Sequence, residues 1–267
     1  YEIVSRDWSS DVCSSDLVQT LYYGALLSST ALIKNDGSLW TCGYNINGQL
    51  GNGTTIKYSS PIQVGSLTNW KQVSCGYHTA AIKTDGTLWV WGSNIYGQLG
   101  NSTNSNQYSS PIQVGSLTNW KQVCAGVSFT AAVKTDGTLW MWGYNAYGQF
   151  GNGTTTNYSS PIQIGALTNW KQVSGAAHIA AVKTDGTLWA CGYNGNGALG
   201  DGTTVSKSSP VQVGSLTNWK QVSVGSHTAA IKTDGTLWTW GYNGFGQLGN
   251  GAPGTHLSSP VQIGNRS

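Results

Sequence analysis

Residues 83–89 read KTDGTLW, and the same seven letters return at 134–140, 183–189 and 232–238, with a looser copy, KNDGSLW, at 34–40. The aspartates of these copies, Asp36, Asp85, Asp136, Asp185 and Asp234, follow one another at intervals of 49, 51, 49 and 49 residues, and prolines keep step at 61, 111, 161, 210 and 260. Self-similarity at such a period marks a chain of stacked supersecondary units, none of which can bury its apolar face alone.

Within one unit, 59–94, four β-prone runs are separated by turn chemistry: PIQV, WKQVS, TAAIK and TLWVW. Asp-Gly between two such runs predicts a tight hairpin, because glycine accepts the positive φ that the turn requires. The pairs Asp36 and Gly37, Asp85 and Gly86, Asp136 and Gly137, Asp185 and Gly186, and Asp234 and Gly235 are therefore read as structural turns. In TLWVW, Trp89 and Trp91 stand two apart and share a sheet face, as do Trp140 with Trp142 and Trp238 with Trp240. A lone four-stranded sheet cannot cover such a face. Radial stacking can, so an all-β propeller is predicted, with Trp40, Trp89, Trp91, Trp140, Trp142, Trp189, Trp238 and Trp240 packed between blades. Trp70, Trp120, Trp170 and Trp219 would form a second aromatic tier.

The ordered elements G-x-H-T-A-A, D-G-T-L-W-x-W-G and G-Q-L-G, seen in WKQVSCGYHTAAIKTDGTLWVWGSNIYGQLG at 70–100, resemble the regulator of chromosome condensation repeat. The resemblance covers nearly all of 31–264 and implies blades of a seven-bladed propeller. It also implies three kinds of work: nucleotide exchange on a small Ras-like GTPase with histone and DNA contacts, inhibition of secreted β-lactamases by a propeller face, and scaffolding in multidomain microbial proteins. No wedge insertion or basic tail supports the first, and no inhibitory residue can be matched for the second.

Residues 1–17, YEIVSRDWSSDVCSSDL, stand apart. They hold four of the ten acidic residues and resemble the conceptual translation of a sequencing adapter, so they are set aside as non-native. The remainder, 18–267, reads as a single propeller domain cut at both ends, an open arc of about five blades that other blades of a parent protein would complete.

Composition limits the alternatives. With 9% charged residues, 37 glycines and 13 tryptophans, the 267-residue chain is neither disordered nor a long-helix protein. No apolar run is long enough to span a membrane, so no insertion is expected. The formal charge of +3 is spread thinly, so no nucleic acid partner is expected either. The cysteines, at 13, 42, 75, 124 and 191, form no C-x-x-C motif and are read as reduced core thiols; Cys42 and Cys191 occupy the position held elsewhere by Trp91, Trp142 and Trp240.

In a four-stranded meander the GSLTN turn and the Asp-Gly turn share one propeller face, and both are nearly constant. The other face collects the variation: a short loop around 76–78 and its equivalents, and a long loop beginning NINGQLG, NIYGQLG, NAYGQFG, NGNGALG or NGFGQLG. One fixed face and one free face is the pattern of a display surface. Asn47, Tyr77, Tyr96, Ser128, Phe129, Tyr147, Asn196 and Phe245 are the candidate contact residues. His78, His178 and His227 recur at one position, but Phe129 interrupts the series and no metal site is expected.

No nucleophile with a base and an orienting group is visible: every aspartate after residue 17 except Asp201 belongs to the repeated K-x-D-G-x-L-W turn, and glutamate occurs only in the excluded segment. The expectation is a non-enzymatic binding module without cofactors, from a larger microbial or viral protein, that contacts a protein or glycan through the variable face. The low-charge surface suits an extracellular or cell-surface setting. A guanine-nucleotide-exchange-like regulator, and a structural spacer or inhibitor-type propeller, are the alternatives.

Overall fold

In the computed structural model, which describes residues 20–23 and 29–264, the repeat folds into five four-stranded antiparallel sheets, each a meander in chain order, with no helix among those residues. The first blade runs β1 (Thr20–Tyr23), β2 (Ser29–Ile33), β3 (Leu39–Gly43) and β4 (Tyr58–Gln63). The second runs β5 (Trp70–Cys75), β6 (His78–Lys83), β7 (Leu88–Gly92) and β8 (Tyr108–Gln113). The third runs β9 (Trp120–Ala125), β10 (Phe129–Lys134), β11 (Leu139–Gly143) and β12 (Tyr158–Gln163). The fourth runs β13 (Trp170–Gly175), β14 (His178–Lys183), β15 (Leu188–Gly192) and β16 (Lys207–Gln212), and the fifth β17 (Trp219–Val224), β18 (His227–Lys232), β19 (Leu237–Gly241) and β20 (Leu257–Ile263). Strands β5, β9, β13 and β17 adjoin one another in turn and so line the hub of an incomplete β-propeller. Residues 1–17 lie outside the described residues.

The Asp-Gly step closes its hairpin as predicted and also fastens the next blade. Gly86 has φ 78° and its N–H donates to the Lys83 carbonyl at 3.0 Å. Asp85 Oδ1 accepts from the Thr87 N–H at 2.9 Å and from Thr87 Oγ1 at 2.7 Å, which holds the turn from its side chain. The Gly86 carbonyl then accepts from Trp120 N at 3.1 Å, and the Thr118 carbonyl oxygen sits where a Cβ on Gly86 would be. The glycine is needed twice, for its dihedral and for the seat it leaves open.

The tryptophans divide into two roles. Trp91, Trp142 and Trp240 are fully buried, and each indole N–H donates at 2.9 Å to a carbonyl of the preceding blade's long loop, that of Gln49, Gln98 and Ala198 respectively. Trp142 packs there on Ala80, Ile82, Leu88 and Val90 of the second blade. At ~25 cal/mol per Å² of apolar surface, each such ring contributes several kcal/mol gross. The outer set is only partly buried: Trp89, Trp140, Trp189 and Trp238 pack against the margins of the inter-blade clusters, and these four and Trp40 carry lysines over their faces, Lys83 Nζ lying 3.7 Å from the Trp89 ring. The predicted second tier is present, with Trp70 buried edge-on against Trp89 at 6.4 Å and against Trp91 at 6.0 Å.

The arc is open. Ile82 and Leu88 of the second blade are fully covered by the third, whereas their equivalents in the fifth blade, Ile231 and Leu237, are half-buried and 39% exposed. At the other end Thr30 and Cys42 of the first blade are likewise only half-buried, where their equivalents in the other blades are buried.

Cys191 shows how a core position accepts a change. Its Sγ donates to the Gln149 carbonyl at 3.2 Å, the hydrogen bond that tryptophan makes in the second, third and fifth blades. Phe150 stands where the other long loops have leucine and takes up much of the lost volume; a cavity of about 20 Å³ remains between them. Burial pushes the Cys124 thiol up to about 11 and the Cys191 thiol up to about 12, so both are unreactive thiols. Cys124 Sγ accepts from the Gly175 N–H at 3.1 Å, as the serine hydroxyl at the same position does in Ser74 and Ser174.

Candidate functional site

The variable face is built on a repeated frame. Asn45, Asn94, Asn145, Asn194 and Asn243, at the start of the five long loops, are completely buried. Asn94 Oδ1 accepts from Leu99 N at 3.0 Å while its Nδ2 donates to the Thr103 carbonyl at 3.2 Å, so one amide ties both ends of the loop. A glutamine completes the frame: Gln98 Oε1 accepts from Tyr96 N at 2.9 Å, Gln149 Oε1 from Tyr147 N at 3.0 Å and Gln247 Oε1 from Phe245 N at 2.8 Å. The residue between Asn and Gln is thereby held rigidly at the loop tip while its side chain is free to differ. Asn47 is held the same way by Gln49, at 3.0 Å; in the fourth blade Ala198 replaces the glutamine below Asn196.

The tips and their neighbours form an aromatic row. Tyr96 meets Tyr144 at 4.7 Å between ring centroids, Tyr144 meets Tyr147 at 6.1 Å, and Tyr147 meets Tyr193 at 5.1 Å, so the row passes from the second blade to the fourth. Farther round, Tyr242 meets Phe245 at 6.2 Å and His256 at 4.8 Å, and Phe245 is 88% exposed. Burial and the two flanking tyrosines raise the Tyr144 phenol, so this ring is uncharged at neutral pH. Charges on this face, among the described residues, are confined to Lys57, which lies over Tyr44, and the 3.8 Å pair Lys207–Asp201.

Inside the row the hub opens as a hollow of about 910 Å³ whose wall includes Tyr77, Tyr193, Asn196, Tyr242 and Phe245. Of the residues expected at the surface, Tyr96 and Tyr147 thus lie in the row, and Tyr77, Asn196 and Phe245 border the hollow. Asn47 is a half-buried loop tip, and Ser128 is a half-buried loop residue whose carbonyl accepts from Tyr144 N at 2.9 Å. Tyr144, Tyr193 and Tyr242 were absent from the sequence expectation because they recur beside Trp-Gly or Cys-Gly and do not stand out as variable.

Phe129 is a correction. It is 1% exposed, with its ring wedged where Cβ atoms on Gly126 or Gly175 would lie, and it belongs to the core between the third and fourth blades. Its position explains the interrupted histidine series. His78 Nε2 lies 2.8 Å from Thr130 Oγ1 of the next blade, and His178 Nε2 lies 2.7 Å from Thr228 Oγ1. Each threonine gives its proton to a carbonyl, Thr130 to Gln98 and Thr228 to Ala198, so the imidazole is the donor and carries its proton on Nε2. Where histidine becomes Phe129, the threonine of the following blade becomes Ile179, and the two pack together. Burial holds His78 and His178 neutral, down to about 3. His78 and His178 are inter-blade fasteners, and no cluster of three metal-ligating side chains occurs among the described residues.

Residues 18–266 match the family model described as the RCC1-like domain. The chain belongs to the RCC1-like domain family. Among solved structures, this RCC1-like chain is similar to human WBSCR16, at 23% identity and a TM-score of 0.78 over 88% of this chain and 65% of that one. It is also similar to Prp20p from Saccharomyces cerevisiae, at 19% identity and a TM-score of 0.77 over 94% of this chain and 64% of that one. A second structure of yeast RCC1 (Prp20), bound to Kap60, gives 19% identity and a TM-score of 0.74, with 89% and 59% covered. The RCC1-like chain therefore spans less than two thirds of the length of each, and at these identities the likeness is one of fold. Comparison with curated proteins gives no match.

Proposed function

We propose that the chain is a non-catalytic binding module that takes a protein partner on its variable face. The observation that carries this is the exposed aromatic row from Tyr96 to Tyr193, set on a buried Asn and Gln frame that leaves the tip residue free to vary. Tyrosine brings a large amphipathic contact area at low conformational cost and is enriched where binding energy concentrates. A frame that is already ordered adds little entropy loss on association. One fold relative, seen in two structures, lends support: yeast Prp20p is described with its binding to Gsp1p and histones, and bound to Kap60.

The test is selection of protein binders from a displayed library against the wild-type chain, scored again on Tyr147→Ala with Phe245→Ala and on substitutions at the Asp-Gly face. Binders that lose affinity only for the first pair support the assignment. Capture of neutral glycans in place of proteins would correct the partner class, and accelerated nucleotide release from a small GTPase would replace the module by an exchange factor.

A further inference from the structure

The face opposite the aromatic row carries two repeated features that the fold does not require. Leu67, Leu117, Leu167 and Leu216, at the tips of the loops that join one blade to the next, are 46%, 45%, 47% and 44% exposed and belong to no core cluster. Four residues on, Lys71, Lys121, Lys171 and Lys220 are exposed on the hub strands. Each of these lysines is skipped in the pairing register, at a β-bulge between the tryptophan before it and the glutamine after it. A bulge re-aims the side chain it displaces, here at the rim of the hub.

The internal copies show which of these residues the fold holds in place. Loops on the aromatic face have changed in sequence and length from blade to blade, so the copies have diverged wherever they could. The joining loops have not: they read GSLTN at 65–69, 115–119 and 214–218 and GALTN at 165–169. Most letters have a structural reason. Gly65 has φ 62°, the Thr68 carbonyl seats on Gly37, and the Asn69 carbonyl accepts from Thr84 N at 2.8 Å. The leucine side chain has none of these duties, yet it is the serine that changes and the leucine that stays. A half-exposed leucine at four equivalent positions, packed in no core cluster among the described residues, is apolar surface open to a partner.

Charge narrows the occupant. Nine of the eleven lysines lie at this end of the blades against five aspartates. The five lysines of the hairpins, such as Lys83 and Lys134, are folded down over tryptophan rings beside their own aspartates. Lys71, Lys121, Lys171 and Lys220 are exposed and have no carboxylate in ion-pair contact among the described residues. We propose that this face is a second docking surface, for an acidic peptide segment bearing apolar side chains, its carboxylates on the four hub lysines and its apolar residues on the four leucines. A neutral glycan has no use for the lysines, and a nucleic acid would leave the leucines uncovered. A bilayer would call for larger apolar anchors than single leucines between serine and threonine.

The experiment is fluorescence anisotropy of a fluorescein-labelled peptide of repeated Glu-Phe-Asp-Leu units, with a Glu-Ser-Asp-Gly peptide as control. The proteins are the full chain, Lys121→Glu with Lys171→Glu, Leu117→Ser with Leu167→Ser, and Tyr147→Ala on the opposite face. All substituted side chains are exposed, and circular dichroism checks that the fold is kept. The apolar acidic peptide is expected to bind the wild type and Tyr147→Ala alike, and to lose roughly tenfold or more in affinity with either pair, the lysine-dependent part weakening as salt rises. Absence of binding, equal binding of the control peptide, indifference to the leucine pair, or tighter leucine-independent binding of duplex DNA or phosphatidylserine vesicles would each overturn the proposal.

Discussion

The side-chain amide of Gln72 and the main chain of Val123 exchange two hydrogen bonds, Nε2 donating to the Val123 carbonyl at 3.0 Å and the Val123 N–H donating to Oε1 at 3.0 Å. One glutamine thus pairs with the hub strand of the next blade as a neighbouring strand would. Gln122 does the same to Val173, at 2.8 and 2.9 Å, and Gln172 to Val222, at 3.0 Å both ways. Gln172→Ala strands a main-chain N–H and C=O at the hub and is expected to cost about 1–3 kcal/mol. Gln221→Ala, at the same repeat position but with no such bond among the described residues, should cost under about 0.5 kcal/mol. Urea denaturation of the two variants checks the difference.

Gly137 and Gly235 occupy the same turn, with φ of 78° and 85°. A Cβ on Gly137 would run into the Thr168 carbonyl, whereas one on Gly235 meets nothing. Gly235→Ala should therefore cost only the dihedral strain, about 1–2 kcal/mol. Gly137→Ala should cost clearly more, because the blade behind it must also shift. Thermal or urea unfolding of both decides whether the glycine is a seat as well as a turn.

Phe150 and Cys191 are expected to behave as a coupled pair. Cys191→Trp alone overfills the site beside Phe150 and should destabilise by about 1–3 kcal/mol. With Phe150→Leu added, the site has the composition of the second blade, Leu99 below Trp142, and most of that loss should return. A double-mutant cycle with a coupling near zero would contradict the packing described.

His78 and His178 are neutral in the fold down to about 3 but titrate near 6.5 when unfolded. Below pH 6.5 the unfolded chain binds protons that the folded chain refuses, so stability falls as pH falls from about 6.5 towards 3. At pH 5 the loss is about 2 kcal/mol for each histidine. Replacing the fastener by its apolar counterpart, His178→Phe with Thr228→Ile, copies the Phe129 and Ile179 pair and should remove about half of this slope. The measurement is urea stability at pH 7 and pH 5 for both proteins.

The blade and its turns are legible in the sequence because they rest on local chemistry: Asp-Gly for the hairpin and an every-second-residue pattern for Trp89 and Trp91. The division into one constant and one variable face follows from strand count alone. What stays hidden are relations between units. Nothing local says that Gly86 receives the Thr118 carbonyl, or that Gln72 pairs with Val123. Phe129 looks like a variable surface residue until it is aligned against Ile179, fifty residues on, where the matching threonine has also turned apolar. Tyr144 and Tyr193 were hidden by their regularity, since exposure depends on how loops from adjacent blades approach one another.

The most direct test of the account is the affinity of a selected protein partner for Tyr147→Ala with Phe245→Ala. Truncation at the centre of the aromatic row and at its exposed outlier is expected to weaken binding by at least about tenfold, while unfolding by urea is unchanged. Full affinity in this variant, with loss on substitution of the Asp-Gly face instead, would contradict the assignment of the variable loops as the recognition surface.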